Sequence, residues 1–229
     1  MDNQEEFRYE KKFKILQLEH YEIENLIKQN PAIFSEIFYE RQVNNIYFDS
    51  LNFKNYYDNL SGNAQRIKIR IRWYGKMFGL VEKPVLELKI KSGFVGKKKS
   101  FKLKPFILNK TFDFDNLRKN VLKNSNLPMR ILELFNLSKP ILLNAYKRKY
   151  FISANRKIRI TLDKDLEFFR IKEKNNLFID KTFDKDLRIL EIKSSAKYED
   201  EISKITQYFP FRIAAISKYV YGINFLELS

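Results

Sequence analysis

Three glutamates in this chain each stand two residues ahead of a lysine: Glu10 and Lys12 in RYEKKF, Glu87 and Lys89 in LELKIK, Glu191 and Lys193 in LEIKSS. A carboxylate so placed either neutralises its neighbour or holds a hard divalent cation through oxygen. Elsewhere KIRIRWYG sets Lys68, Arg70 and Arg72 at strict alternation. Arginine takes phosphate oxygens bidentately, lysine adds a point charge, and Mg²⁺ or Mn²⁺ bridges phosphate oxygens. A solvated ion pair accounts for any one Glu-x-Lys pair taken alone. Their recurrence beside an Arg-x-Arg segment points instead to a metal-assisted phosphate site.

The overall charge agrees. Among 229 residues, 44 Lys and Arg stand against 28 Asp and Glu, a formal net charge of +16, which predicts a polyanionic partner. The chain is also rich in Asn, Ile, Phe and Tyr, a profile that AT-rich coding produces together with surplus lysine, so arginine placement is better evidence than lysine number. Absence of cysteine excludes disulfides and thiolate metal sites, and the single histidine, His20, removes most acid–base and zinc chemistry. His20 opens a helical stretch and is expected at the surface or in a cap. No apolar run approaches the roughly 18 residues of a membrane span, and MDNQEEF is acidic rather than a leader. The expectation is a soluble, cytoplasmic chain.

Period-two alternation predicts strands over 7–15, 44–50, 66–74, 85–91, 98–104, 142–152, 156–163, 166–172 and 188–195. Helical patterns cover 19–29, 113–125, 128–135 and 198–209, and ISKYVYGINFL reads as helix then turn. The stretch from Asp113 to Phe135 reads as an insertion packed outside the sheet. Without a Gly/Ser or Pro-rich linker, residues 1–229 read as a single domain.

Side chains two apart in a strand share a face, so the cations and glutamates form charged faces on several strands. Facing water together, such a plane would repel itself. Closing the sheet turns the liability into a site, because a barrel of about eight strands encloses room for one ligand. The expected fold is therefore α+β, an antiparallel closed β-barrel with helices packed outside.

Taken together, FRYEKKF, YFDS followed by YYDNLSG, KIRIRWYG, LELKIKSG, KIRITLD, LEIKSS and SKYVYG resemble the VTC domain, the polyphosphate polymerase branch of the triphosphate tunnel metalloenzymes (CYTH-like). The resemblance runs from about Phe7 to Phe225 in the family's order. It implies a β-tunnel in which ATP and inorganic polyphosphate are bound and the γ-phosphoryl group passes to the growing chain, with Mn²⁺ or Mg²⁺ as cofactor. By motif position it implies catalytic roles for Arg70, Arg72, Lys89, Arg159 and Lys218. Lys12, Lys99, Arg148, Lys193 and Ser217 are implied to bind substrate, and Glu191 to bind metal, with Glu10 and Glu87 as further candidates. A separate membrane partner fits the family, though no span lies in this chain. Asp49 and Asp163 are expected to hold turns or orient arginines, and Trp73 and Tyr74 to pack.

Tunnel triphosphatases and cyclases open with Glu-x-Glu-x-Lys, whereas this chain has Arg8-Tyr9-Glu10-Lys11-Lys12. One metal carboxylate is thus missing, which favours the polymerase over hydrolysis. A non-catalytic polyphosphate- or inositol-phosphate-binding module would need the cations but not Glu191. KKKSFKLK (97–104) is the argument for nucleic acid, yet no stacking aromatics are arranged beside it, and no nucleic-acid partner is expected. GFVGKKKS (93–100) lacks the spacing and the following helix of a phosphate-binding loop.

Overall fold

The computed structural model describes residues 8–92 and 95–228. Phe7 of the first expected strand and Gly93-Phe94 of GFVGKKKS lie outside them. In chain order the elements are β1 (Arg8–Ile15), α1 (His20–Gln29), β2 (Ser35–Asp49), α2 (Lys54–Leu60), β3 (Gln65–Tyr74), β4 (Gly79–Val81), β5 (Val85–Ser92), β6 (Val95–Lys102) and β7 (Phe106–Leu108). Then come α3 (Phe114–Asn116) with a π-helical turn over Leu117–Leu122, α4 (Met129–Asn136), β8 (Lys139–Ile152), β9 (Arg159–Arg170), β10 (Lys181–Asp184), β11 (Arg188–Ser195), α5 (Glu199–Gln207) and α6 (Lys218–Phe225). Nine strands form one sheet in the order β1-β11-β9-β8-β2-β3-β5-β6, with β10 on β9, and β4 pairs with β7 apart from it.

Two compact units share the chain. One comprises Met1–Arg41, Tyr146–Leu166 and Asp184–Ile216, the other Gln42–Ala145, Glu167–Phe183 and Ser217–Ser229.

In the second unit, alternation in β3 and β5 sorts the side chains cleanly. Ile69, Ile71 and Trp73, with Leu86 and Leu88, enter a core with Ile46 and Phe48 of β2 and with Phe114, Leu117, Val121, Leu122, Ile131 and Phe135 of the helical stretch. The expected insertion is thus a cover over the apolar face. Asp113 starts it, its carboxylate accepting from the backbone N–H groups of Asp115 and Asn116. Trp73 is buried and donates to Lys76 O at 3.0 Å, whereas Tyr74 is exposed. At the end of the chain α6 packs closely enough that a Cβ on Gly222 would lie 2.5 Å from a Phe168 ring carbon.

In the first unit the same logic repeats. Phe13 and Ile15 of β1, Leu190 and Ile192 of β11, and Ile160 and Leu162 of β9 pack under Ile23 and Ile27 of α1 and Ile202 and Ile205 of α5. Both apolar faces therefore lie under helices, and the charged residues occupy the opposite faces.

Three expectations need correction. Strand pairing among the described residues does not close a barrel: the sheet ends at β1 and at β6. The outer edge of β1 is taken instead by the segment before α6, where Ile213 bridges Phe13 and Ala214 N–H donates to Lys12 O at 2.8 Å. The strands expected at 156–163 and 166–172 are one continuous strand, β9. Within it Asp165 takes a left-handed φ of 51° and breaks the alternation, so the sequence reads as two pieces. Finally, β2 begins at Ser35, well before its alternating core residues, because its first part is exposed on both faces and carries no amphipathic signal.

Candidate phosphate-binding site

The register of β2, β3, β5 and β6 builds the charged face of the second unit row by row. Lys68 stands opposite Lys89, and Lys89 opposite Lys98, so three lysines line up across neighbouring strands. In the next row Tyr47, Arg70, Glu87 and Ser100 are partners, and beyond it Asn45, Arg72 and Val85. Like charges directly opposite one another destabilise a sheet, and the lysine row is that arrangement.

Glu87 binds this face together. Its Oε2 accepts from Arg70 Nε at 2.8 Å and Nη2 at 2.6 Å, and its Oε1 from Lys98 Nζ at 2.5 Å. Burial alone would push this carboxyl up, but Arg70, Arg72 and Lys98 outweigh burial and hold it at about 2. With both oxygens committed to cations, Glu87 sits in the structure as a counter-ion to the arginines. Arg70 also reaches Tyr47 Oη at 3.3 Å, and Tyr47 stacks on Tyr219 with centroids 5.2 Å apart.

Lys68, outside the resemblance, donates to Ser217 Oγ at 2.9 Å, and Ser217 caps α6 by accepting from Val220 N–H at 3.5 Å. Lys218 is buried at the first position of that helix. Its neighbour Tyr219 donates to Asp49 Oδ2 at 2.5 Å, while the two oxygens of Asp49 also accept from the backbone of Ser50, Asn55 and Tyr56. Asp49 thus caps α2 and holds α6. Burial and the Asp49 carboxylate push the Tyr219 phenol far above its ordinary value.

Lys99 is placed differently. It stands opposite Leu88 and is exposed, on the face away from the arginines, while Lys98 takes the place expected of it. Shifting a strand assignment by one residue flips every side chain to the other face. The signal was present: Phe101 and Leu103 go to the core side, so their odd-numbered neighbour Lys99 shares it and Lys98 does not.

The first unit carries a second charged set. There β1, β11 and β9 align Lys12 with Glu191 and Thr161, and Glu10 with Lys193 and Arg159. Lys193 Nζ lies 2.5 Å from Glu191 Oε2 and 3.3 Å from Glu10 Oε1, and Lys12 Nζ lies 3.5 Å from Glu191 Oε1 and 3.8 Å from Glu10 Oε1. Two lysines and two carboxylates therefore alternate around one spot, and Arg159 stands exposed beside them. Arg148 is buried behind Glu191, its Nη2 3.7 Å from that carboxylate. Asp163 orients it bidentately, accepting from Nε at 2.5 Å and Nη2 at 2.7 Å. Burial opposes the charge on Arg148, but Asp163 outweighs burial and raises the guanidinium well above its ordinary value.

The VTC domain profile matches residues 7–227. The chain belongs to the VTC domain family. No curated protein matches the sequence. Among solved structures, this VTC domain is similar to a candidate adenylate cyclase of Vibrio parahaemolyticus, with a TM-score of 0.54 and 14% identity over 95% of this chain and 99% of that one. It is similar also to a candidate adenylyl cyclase of Hippeastrum described as having a dominant triphosphatase activity, with a TM-score of 0.53 and 14% identity over 96% and 99%. At such identity the likeness concerns the fold. No helix among the described residues is long and apolar enough to cross a membrane.

His20 belongs to neither charged set. Rather than at the surface, it is largely buried as the first residue of α1, with Nε2 3.1 Å from Glu24 and 3.9 Å from Glu40. Burial, helped by Lys164, outweighs those carboxylates and lowers the imidazole to about 4. A depressed value means that the unfolded chain takes up its proton first as pH falls. Stability is therefore present above about 6.5 and is lost as pH falls from there towards about 4. Denaturant unfolding at pH 7 and pH 4.5 is expected to show His20→Gln losing less stability than the parent over that interval, by about 2 kcal/mol. Equal losses would show that folding does not lower the pKa of His20.

Proposed function

We propose that this VTC domain is a polyphosphate polymerase that passes the γ-phosphoryl group of ATP to the terminal phosphate of an inorganic polyphosphate chain within a tunnel-type fold. The observation that carries the reading is the aligned row of Lys68, Lys89 and Lys98 beside Arg70 and Arg72. Like charges so aligned repel one another, and a multivalent anion offsets that repulsion. A polyphosphate repeats one anionic unit along its length, so each charged set binds a stretch of it independently.

In this reading Arg70, Arg72 and Lys89, with Lys218, hold phosphoryl oxygens as charge develops, and Arg159 is a phosphate ligand of the other set. Lys68 and Lys98 extend the binding row, Ser217 contacts phosphate at the start of α6, and Lys12, Lys193 and Arg148 belong to the set around Glu191. Lys99 has no place in it. The bond from the γ-phosphorus to the β–γ bridging oxygen breaks, a terminal polyphosphate oxygen forms the new one, and ADP leaves. Such transfer needs positioning and electrostatic stabilisation more than covalent help. The attacking oxygen is already largely ionised, with a last pKa of about 6 for a phosphate monoester, so a site without a neutral-range base suffices.

The carboxylates of Glu191 and Glu10 are the donors that fit a divalent cation, being hard oxygens gathered about one lysine. No group of three or more His, Cys, Asp or Glu forms a cation site among the described residues. Phosphate oxygens and water would complete the shell, as Mg²⁺ commonly requires. When bound, the cation supplies charge neutralisation to the phosphates.

Purified protein with ATP and Mn²⁺ is expected to yield chains longer than tripolyphosphate on a gel, with ADP released in step. Orthophosphate as the sole new phosphate product would overturn the polymerase reading in favour of a triphosphatase. Glu191→Gln is expected to abolish turnover while keeping polyphosphate binding. A parent protein that binds polyphosphate without any turnover would be a binding module.

A further inference from the structure

Helix α6 is tied to the second unit by two phenols, one at each of its ends. At its start Tyr219, 2% exposed, donates to Asp49 Oδ2 at 2.5 Å. In its last turn Asn224 Oδ1 accepts from Tyr56 Oη of α2 at 2.5 Å. The first bond has a partner that does not need it. Asp49 is fully buried, and its two oxygens already accept three backbone N–H groups, from Ser50, Asn55 and Tyr56. The cap of α2 is therefore complete without Tyr219. A phenylalanine would fill the same space with no hydroxyl to satisfy, so packing does not account for the phenol.

Its surroundings do. Tyr219 is the second residue of α6, directly after Ser217 and Lys218. Ser217 Oγ accepts from Lys68 Nζ at 2.9 Å, which joins the start of the helix to the lysine row. The Tyr219 ring stacks on Tyr47, and Tyr47 stands opposite Arg70 and accepts from its Nη1 at 3.3 Å. Asp49 ends the same strand two residues beyond Tyr47, on the same face. The bond thus runs from the strand beside Arg70 to the helical turn that carries Ser217. A hydrogen bond to a carboxylate is short and directional, so it fixes the rotation of α6 about its own axis. With about 3.6 residues per turn, any rotation that displaced Tyr219 would swing Ser217 and Lys218 as well.

We propose that Tyr219 and Asp49 are positioning residues, whose hydrogen bond sets the rotation of α6 and so places Ser217 and Lys218 against the lysine row. This rests on the reading that the start of α6 binds phosphate.

The test uses the full chain, with inorganic tripolyphosphate as probe in calorimetric titrations and thermal unfolding measured in parallel. Tyr219→Phe keeps the ring on Tyr47 and removes only the bond. It is expected to weaken tripolyphosphate binding about fivefold per folded molecule and to lower the unfolding temperature by a few degrees. Tyr56→Phe removes the phenol at the far end of the same helix, and is expected to lower the unfolding temperature similarly while changing affinity less than about twofold. A purely structural role for Tyr219 would make the two variants alike in affinity. In a background carrying Ser217→Ala and Lys218→Ala, the loss caused by Tyr219→Phe should shrink below about twofold. Equal affinity losses in Tyr219→Phe and Tyr56→Phe, or an undiminished loss in that background, would overturn the proposal. If Ser217→Ala with Lys218→Ala itself leaves affinity unchanged, the phosphate reading of α6 fails, and the positioning role with it. A weakened Ser217→Ala and Lys218→Ala combination beside an unaffected Tyr219→Phe defeats the positioning role alone.

Discussion

Replacing Arg70 or Arg72 by alanine is expected to weaken tripolyphosphate or ATP binding about ten- to a hundredfold each, because a hydrogen bond to a charged group contributes about 1.5–3 kcal/mol and about 1.4 kcal/mol is a factor of ten. The two losses should differ in their side effects. Removing Arg70 strips Glu87 of two guanidinium hydrogen bonds and leaves it Lys98 at 2.5 Å and the more distant Arg72 at 3.8 Å. Removing Arg72 leaves the buried Asn45 oxygen without its guanidinium donor. Some loss of stability is therefore expected from both, and affinity must be compared per folded molecule by titration beside circular dichroism. Variants that unfold but bind normally when folded would place these arginines in the framework and not in the site.

The second large effect is on stability. Asp163→Ala is expected to cost about 3–5 kcal/mol, the usual penalty for breaking a buried ion pair and leaving one charge uncompensated. Asp163 is fully buried and takes both bonds of a bidentate pair from Arg148. Against a typical total of about 5–15 kcal/mol, such a loss is plainly visible in the urea midpoint. Arg148→Met combined with Asp163→Leu should recover most of it, since replacing both members with apolar residues is often neutral or stabilising. A loss below about 1 kcal/mol for Asp163→Ala would mean that water reaches Arg148.

The alternating residues made much of this architecture legible in advance. Ile69 and Ile71 against Arg70 and Arg72, and Leu190 and Ile192 against Glu191 and Lys193, sort to opposite faces as period two requires, and their apolar members lie under helices. What alternation cannot supply is register between strands. That Lys68, Lys89 and Lys98 share a row, and that Asn144 meets Asn45, depends on how strands slide past each other, a property of the whole sheet. Lys99, which motif position alone assigns to substrate, stands on the other face for a different reason, because a run of lysines carries no face until its apolar neighbours Phe101 and Leu103 are weighed. The exposed beginning of β2 and the short helix α2 gave no periodic signal at all. The Asp49 carboxylate nucleates α2 from outside the helix, through Asn55 and Tyr56.

A sheet that ends at β1 and β6 has two strands with a row of backbone donors and acceptors on offer, and such edges recruit strands from other molecules. This chain blunts the two ends by different means. At β1 the main chain of Ile213 and Ala214 occupies part of the edge directly. At β6 the sequence runs Val-Gly-Lys-Lys-Lys-Ser-Phe-Lys, and lysine on an edge strand repels an incoming copy of itself. Lys98, which reads as an anion ligand, therefore also guards against aggregation, and a variant that neutralised it to weaken polyphosphate binding would be expected to precipitate more readily as well.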